Sequence, residues 1–474
     1  MWRVSFISLL LLLFQVSGST QSPLDEATDR FLKHPLSSGA TISMSVRDAR
    51  NGDLVYQHQG DTWMIPASNQ KLVTTAAAWS LLGPDHRIPT IIHWKGIILD
   101  SVFVGEMVLE GHGDPSLASG RFGPSASSAA LVQRWVMQLR QLGIREIRGQ
   151  VTCAPETFPG SPIGLTWEWS DLGSCYAQGI WPVNWEENCL QAELNRDSAG
   201  FYLSTDSLRL PWPVIASLEP GRAPSEPDFL TGPAGEPTRW IGGPEEIRFP
   251  LAIRMSVPDV PSWLQEQIPR LFDNQGMPWH IHQIAMAHQR LVWRDTIWSP
   301  PLKVLIREAN SESNNLVAEA LVRRMGEVLG GTSSVGQGLV QIRKWIGRHD
   351  LSPSPYLHDG SGLSRQNALT ANFLTGLLAA IASDSLVIEG YPTTLAEGGK
   401  SGTLRRFLKD KRLAGKIRAK TGTLNRVRCL SGYLDTPGGR TLSFSILSNQ
   451  FTGSTREFMA LCQQWLLDLS NSAP

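Results

Sequence analysis

Three short motifs, Ser68-Asn69-Gln70-Lys71, Ser313-Asn314-Asn315 and Lys420-Thr421-Gly422, are spaced so unevenly that they constrain the plan of the whole chain. From Ser68 to Ser313 is 245 residues, whereas Ser313 to Lys420 is 107. If the three meet in one cleft, a large excursion must leave the unit that holds them after the first motif and return before the second. It should begin near Asp85-His86-Arg87 and end near Trp298-Ser299-Pro300-Pro301, where a helical pattern resumes around Val304. The expected division is residues 19–85 plus 295–474 for the motif-bearing unit and 86–294 for an inserted domain. At ~100–200 residues per domain, a chain of 474 residues can bury a core in each.

Each motif has a local context that suits acyl-transfer chemistry. Pro66-Ala67-Ser68 leads into a helix-forming run that Gly83-Pro84 closes, so Ser68 should open a helix. There it sits among free backbone N–H groups and positive dipole charge, which favour a developing oxyanion. Lys71 falls three residues on, on the same face. As an ammonium it cannot take a proton, so it can activate Ser68 only if burial and neighbouring cations lower its pKa. The alternative is a capping Ser68 beside a surface Lys71. Ser313 and Asn315 should lie just before an amphipathic helix, the hydroxyl suited to relay a proton and the amide to hold a peptide group. Lys420-Thr421-Gly422 falls in Ile417 to Leu424, which alternates like a strand, with Arg428–Leu434 and Leu442–Leu447 completing an antiparallel meander. Lys420 offers a cation for a carboxylate, Thr421 and Thr423 offer hydroxyls, and Gly422 allows a substrate backbone to approach. The N–H of Thr423 could complete an oxyanion hole with that of Ser68. Together the motifs read as an active-site serine acyltransferase.

On these motifs, and on Gly111-His112-Gly113-Asp114-Pro115-Ser116-Leu117, Trp167-Glu168-Trp169-Ser170-Asp171, Cys175-Tyr176-Ala177, Asp359-Gly360-Ser361-Gly362-Leu363-Ser364-Arg365 and Gly402-Thr403-Leu404, the chain resembles the low-molecular-mass class C penicillin-binding proteins, the penicillin-binding protein 4 type of D-alanyl-D-alanine carboxypeptidase/endopeptidase. The resemblance implies an α+β fold: a serine β-lactamase/transpeptidase-like domain with a large inserted domain between the first and second motifs. It implies Ser68 as the acylated nucleophile, Lys71 as its base, Ser313 and Asn315 as the relay and positioning pair, and Lys420 as the binder of the substrate's terminal carboxylate. It also implies that Asp171 and Arg365 contact the diamino acid of the stem peptide, with Tyr176 as an aromatic wall and Asn425 nearby. Read from the residues alone, Asp171 and Arg365 would equally suit a salt-bridged contact between domains. The segment Gly149-Gln150-Val151-Thr152-Cys153 lacks the acidic residues the family commonly carries there.

Around the motifs, Ala40–Val46 and Asp53–Tyr56 should form a hairpin across Asn51-Gly52, and a helix from Thr455 to Leu469 should pack Phe458, Leu461, Trp465 and Leu466 against the sheet. Inside the excursion, Ile91–Trp94 and Glu106–Glu110 look like strands and 129–142 like a helix. Pro211-Trp212-Pro213 and Pro220-Gly221-Arg222-Ala223-Pro224 suggest a mostly β subdomain near 190–280. Most of the 17 tryptophans crowd the excursion, as packing residues for the most part. Of five cysteines, Cys175 and Cys189 are the pair to test first. His280-Ile281-His282 with His288 is the nearest approach to metal spacing and suits ordinary histidines better, so neither a metal nor a cofactor is expected.

Lys plus Arg equal Asp plus Glu at 43 each, which argues against nucleic acid and an anionic membrane as partners. Residues 1–18 read as a secretory signal peptide with no lipid-accepting cysteine after it, and with no integral membrane anchor the mature chain is expected to be soluble and periplasmic. The expected partners are peptidoglycan stem peptides and, as covalent inhibitors, β-lactam antibiotics, with a homodimer left open. The expected function is hydrolysis of D-Ala-D-Ala termini, or of D-Ala-diamino acid cross-links, through an acyl-Ser68 ester. Two alternatives stand beside it. One is a β-lactamase, whose fast deacylation commonly needs a separate glutamate and which Glu187-Asn188-Cys189-Leu190-Gln191 only grazes. The other is a catalytically silent peptidoglycan-binding scaffold.

Overall fold

The computed structural model describes residues 22–472 apart from 155–157, 198–199, 205–213, 218–228, 231–237, 242–249, 284–289 and 385–389. Residues 1–18, both Pro-rich stretches and His288 therefore lie outside the described residues.

The chain opens with helix α1 (Pro23–Leu32), started by a Ser22/Asp25 capping box with Pro23 at its first position, and continues as the hairpin β1 (Thr41–Asp48) and β2 (Leu54–His58). The Gly52 turn between its arms takes φ +78°, as the Asn-Gly pair predicts. Helix α2 (Gln70–Leu82) follows and ends at Gly83, whose φ is +87°. Its residues are buried from Gln70 to Trp79 on every face, so it runs through the core and not along its edge.

The excursion then begins with β3 (Pro89–Leu99), β4 (Val102–Gly111), α3 (Ser128–Gln141) and β5 (Glu146–Cys153). After β6 (Cys189–Asp197), β7 (Gly200–Ser204), β8 (Val214–Ser217), β9 (Phe229–Leu230), β10 (Thr238–Ile241) and β11 (Leu251–Ser256) come α4 (Val260–Asn274), β12 (Trp279–Ile281) and β13 (Arg290–Trp298). The sequence reading of 190–280 as a mostly β subdomain meets a helix, α4, after Ser256. Asp259 caps α4, accepting from the Ser262 N–H at 3.1 Å, and Val260, Trp263, Leu264, Ile268 and Phe272 recur at helical spacing on its buried face. The main sheet of the excursion has the order β12-β5-β4-β3-β13. β4 and β5 run parallel because α3 crosses between them, and β13 returns antiparallel to β3 with Trp298 opposite Pro89. The chain thus enters and leaves on neighbouring strands. Trp94, Trp135, Trp185, Trp263 and Trp279 fill the core under this sheet, the packing role expected of most tryptophans here.

The return passes through α5 (Leu302–Ser311), α6 (Asn315–Gly330), α7 (Val335–Arg348) and α8 (Ala371–Ser383), then β14 (Ala396–Glu397), β15 (Ile417–Leu424), β16 (Val427–Asp435), β17 (Thr441–Asn449) and a last helix, Thr455–Ser472. The six-stranded sheet β14-β15-β16-β17-β1-β2 is antiparallel throughout. Alternation sorts its side chains to two cores: Leu430, Leu434, Phe444 and Ile446 meet α1 and the last helix, whereas Cys429, Tyr433 and Leu447 meet α2 and α8. This mixed α/β sandwich is the expected fold class. The last helix buries Phe458, Trp465 and Leu466 as expected. No helix among the described residues is long and apolar enough to cross a membrane.

Cys175 and Cys189 form the disulfide, with their Cα atoms 5.5 Å apart, and Cys153, Cys429 and Cys462 are free. No metal-ligand cluster occurs among the described residues. Between the excursion and α6, His112 Nδ1 lies 2.5 Å from Glu327 Oε1, and Arg324 holds the same carboxylate at 2.7 Å. The hydrogen bond to Glu327 raises the His112 pKa above its usual value, so the charge-assisted contact is complete below about pH 6.5 and fades as pH rises through the raised value. His112→Ala should therefore lower stability by about 1 kcal/mol at acidic pH, discounted for partial exposure, and by less at alkaline pH. Thermal melts of both proteins either side of neutrality check this; equal losses at both pH values would remove the charged contact.

Candidate active site

The turn that carries Ser68 is wedged from two sides. It is a 3₁₀ turn, Ala67–Asn69, that runs directly into α2, so Ser68 stands just ahead of the helix. On one side Gly362, at φ +83°, lies so close that a Cβ there would be 1.8 Å from the Ala67 carbonyl oxygen. On the other, a Cβ on Gly422 of β15 would be 2.8 Å from the Pro66 carbonyl oxygen. Glycine at both positions is what lets two backbones close on the serine.

Lys71 is fully buried, which excludes the surface alternative. Its ammonium donates to Ser68 Oγ at 2.9 Å, Asn315 Oδ1 at 2.5 Å and the Ser361 carbonyl at 2.7 Å. Three acceptors match its three N–H bonds. Burial brings its pKa down to about 7, against the opposing pull of the Asp359 and Glu319 carboxylates. A lysine so placed holds appreciable free base near neutrality while aimed at the serine oxygen.

The second motif owes its shape to a helix break. α5 ends at Ser311, Ser313 takes φ +63°, and Asn314 caps α6 by accepting from the Val317 N–H at 3.1 Å. Asn315 is thus the first residue of α6, not a residue before it. A non-glycine residue at positive φ is a strained position of the kind that functional sites hold in place. Ser313 Oγ accepts from Lys420 at 2.8 Å, and Lys420 also donates to the Thr421 carbonyl at 2.8 Å. Lys420 is buried, and burial, then the nearby Lys71 charge, push its pKa well below the usual lysine value. Thr421 Oγ1 donates to Thr403 Oγ1 at 2.9 Å. Two hydrogen-bonded groups result: Ser68–Lys71–Asn315, and Ser313–Lys420–Thr421.

An open cleft of about 580 Å³ has Ser68, Ser313 and Asn315 on its floor. Thr423, Asn425, Asp171, Tyr176 and Arg365 form its walls. Asn315 Nδ2 donates to the Tyr176 carbonyl at 2.6 Å, and the Tyr176 hydroxyl donates to Asp171 Oδ1 at 3.0 Å. The excursion reaches the cleft through Thr166 Oγ1 on Ser364 Oγ at 2.7 Å and Trp167 Nε1 on Asp359 Oδ2 at 3.0 Å. Arg365 also has a partner that the sequence reading did not name. Arg365 makes its ion pair with Glu168, at 2.5 Å, and donates to the Asn425 carbonyl at 3.1 Å, whereas the Asp171 carboxylate takes the Tyr176 hydroxyl. Glu168 lies three residues before Asp171 in the same short block, where its charge was visible and its direction was not. A larger hollow of about 830 Å³ beside Asp48, Arg418 and Arg440 holds none of the motif residues, and Arg418 and Arg440 are paired with Asp435 and Asp48.

Glu187, the glutamate that a deacylating loop would need, is engaged elsewhere. Its carboxylate accepts from Arg121 at 2.9 and 3.1 Å, Ser119 at 2.8 Å and Asn314 at 3.2 Å, and it does not line the cleft.

Comparison with known proteins places this architecture. The chain is 25% identical over 471 residues to a D-alanyl-D-alanine carboxypeptidase of Actinomadura sp., covering 93% of this chain and 84% of that one. It is 24% identical to the D-alanyl-D-alanine carboxypeptidase DacB of Haemophilus influenzae, over 95% of this chain and 94% of that one. The crystal structure of penicillin binding protein 4 from H. influenzae superposes with a TM-score of 0.77 at 22% identity, over 94% of this chain and 98% of that one. The same protein complexed with a β-lactam gives 0.73 at 20% identity and the same coverage. The sequence profile of the D-Ala-D-Ala carboxypeptidase 3 (S13) family matches residues 24–467, from the first helix through all three motifs to the last helix, and the chain belongs to that family.

Proposed function

We propose that the protein is a serine-type D-Ala-D-Ala carboxypeptidase and D,D-endopeptidase that cleaves peptidoglycan stem peptides and cross-links in the periplasm. The observation that carries this reading is the buried Lys71 ammonium, with a pKa of about 7, 2.9 Å from Ser68 Oγ.

Lys71 in its free-base form takes the Ser68 proton as Oγ attacks the carbonyl carbon of the penultimate D-Ala. The carbonyl oxygen takes the charge, stabilised by the N–H groups of Ser68 and Thr423. Asn315 orients the substrate amide, and Lys420 attracts the terminal carboxylate. Ser313, hydrogen-bonded to Lys420, passes its proton to the departing amine as the C–N bond breaks and is reprotonated by the proton that Lys71 took from Ser68, which leaves an ester on Ser68 and Lys71 again as the free base. Water activated by Lys71 then attacks the ester, which releases the shortened peptide and returns the proton to Ser68. Asp171, Tyr176, Arg365 and Asn425 wall the side where the diamino acid would lie. A β-lactam mimics the acyl donor and leaves a slowly hydrolysed ester on the same serine; the position of Glu187, away from the cleft, favours this over a β-lactamase.

The test is D-alanine release from a D-Ala-D-Ala-terminated pentapeptide and cleavage of a cross-linked muropeptide dimer. Both reactions should fall to background in Ser68→Ala. Undiminished turnover by that variant would refute the serine mechanism, and many turnovers of penicillin by the wild type would favour the β-lactamase.

A further inference from the structure

Among the buried carboxylates that the mechanism leaves unused, two grip the same loop. Glu319 lies one helical turn beyond Asn315 on α6 and is 3% exposed; Asp359 is 1% exposed. Glu319 Oε1 accepts from the N–H groups of Gly360 at 3.0 Å and Ser361 at 2.8 Å. Asp359 accepts from the N–H groups of Gly362 at 2.8 Å and Ser364 at 2.6 Å. Between these holds lies the Ser361 carbonyl, one of the three acceptors of the Lys71 ammonium. Gly360 is pressed against α6, where a Cβ would lie 2.7 Å from the Ala318 carbonyl oxygen, so the loop is fixed to the helix by contact as well as by charge.

We propose that Glu319 is a positioning residue for Lys71: its carboxylate holds the peptide that presents the Ser361 carbonyl, and its charge belongs to the same buried cluster as the ammonium. The proposal rests on Lys71 being the base that activates Ser68. Glu319 touches no reacting atom. The charged groups that face it are Asp359 from the loop, Lys71 from α2 and Arg323 from its own helix; those that face Lys71 are Glu319, Asp359 and Lys420. Burial, then the Asp359 charge, push the Glu319 pKa up to about 7, so the lysine and the glutamate titrate as a coupled pair and Glu319 carries its full charge only in the upper part of that range. Removing the Glu319 charge removes an attraction that keeps Lys71 protonated, and the free base should then appear at lower pH.

The experiment is the rate of Ser68 acylation by a fluorescent penicillin, followed across pH for the wild type, Glu319→Gln and Glu319→Ala. The glutamine keeps an oxygen for both N–H groups, so its plateau rate should stay near the wild-type value while the acid limb moves down by a fraction of a pH unit, at most about one, because Glu319 is only partly charged over that range. The alanine removes the acceptor, and its plateau should fall by about tenfold or more, with the glutamine variant as its rescue. An unmoved or upward-moved limb in Glu319→Gln, or an undiminished plateau in Glu319→Ala, overturns the proposal. If Glu319→Ala fails to fold, the limb of Glu319→Gln still decides. A wild type that penicillin labels at no pH overturns the functional reading and this proposal with it, whereas a labelled wild type with unmoved variants overturns this proposal alone.

Discussion

Lys71→Ala should slow acylation of Ser68 by about four orders of magnitude, the upper range for loss of a positioned general base. The size follows from the site having one candidate base at the serine: Lys71 is 2.9 Å from Oγ, while Lys420 spends its hydrogen bonds on Ser313 and Thr421. Stopped-flow labelling with a fluorescent penicillin measures the rate, and a loss of less than about tenfold would show that Lys71 is not the base. In the wild type the rate should climb as pH rises through about 7, because the reactive form is the unprotonated amine. The same burial has a thermodynamic signature. The folded pKa lies well below the unfolded value of about 10.4, so between the two the unfolded chain binds the extra proton and this group's contribution to stability rises with pH. Comparison with Lys71→Met by chemical denaturation, at neutral and at alkaline pH, should show the wild type gaining on the variant as pH increases.

Gly362→Ala should cost both stability and activity, for a reason that involves no catalytic side chain. The new methyl would meet the Ala67 carbonyl oxygen at 1.8 Å, a backbone atom that cannot swing aside, at φ +83° where a Cβ is already strained. Either the 359–365 loop or the Ser68 turn must move. A loss of about 3 kcal/mol in unfolding free energy combines the left-handed strain with overpacking. Because a displaced nucleophile loses about 100-fold for an ångström, acylation should fall by at least that much. Gly52→Ala separates the two contributions, since Gly52 has φ +78° but no atom within 4 Å of the place a Cβ would take. It should lose about 1 kcal/mol and no activity. Equal penalties at both sites would mean that the collision at Ser68 is not real.

The parts of the fold that were legible in the sequence are those fixed by short-range patterns. Alternation gave β15 to β17, the Asn-Gly turn gave the first hairpin, and the run closed by Gly83 gave α2. The helix α4 was obscured because Pro261 and Pro269 suggest loop, although Pro261 sits in the tolerated first turn and a buried apolar face carries Pro269. The resemblance placed Asp171 and Arg365 at one wall of the cleft but could not say which carboxylate the guanidinium takes, since Glu168 and Asp171 are three residues apart in a loop without a fixed period.

By itself the sequence determined which candidate reacting groups the chain carries and their order, because serine, lysine and asparagine carry their chemistry in their side chains and the motifs carry fixed local spacings. The burial of Lys71, the strain at Ser313 and the carboxylate hold of Glu319 on Gly360 and Ser361 were decided only by tertiary structure. Each depends on chain segments tens to hundreds of residues apart meeting in a water-poor interior, and it is there, not in the motif, that a lysine acquires a pKa of about 7.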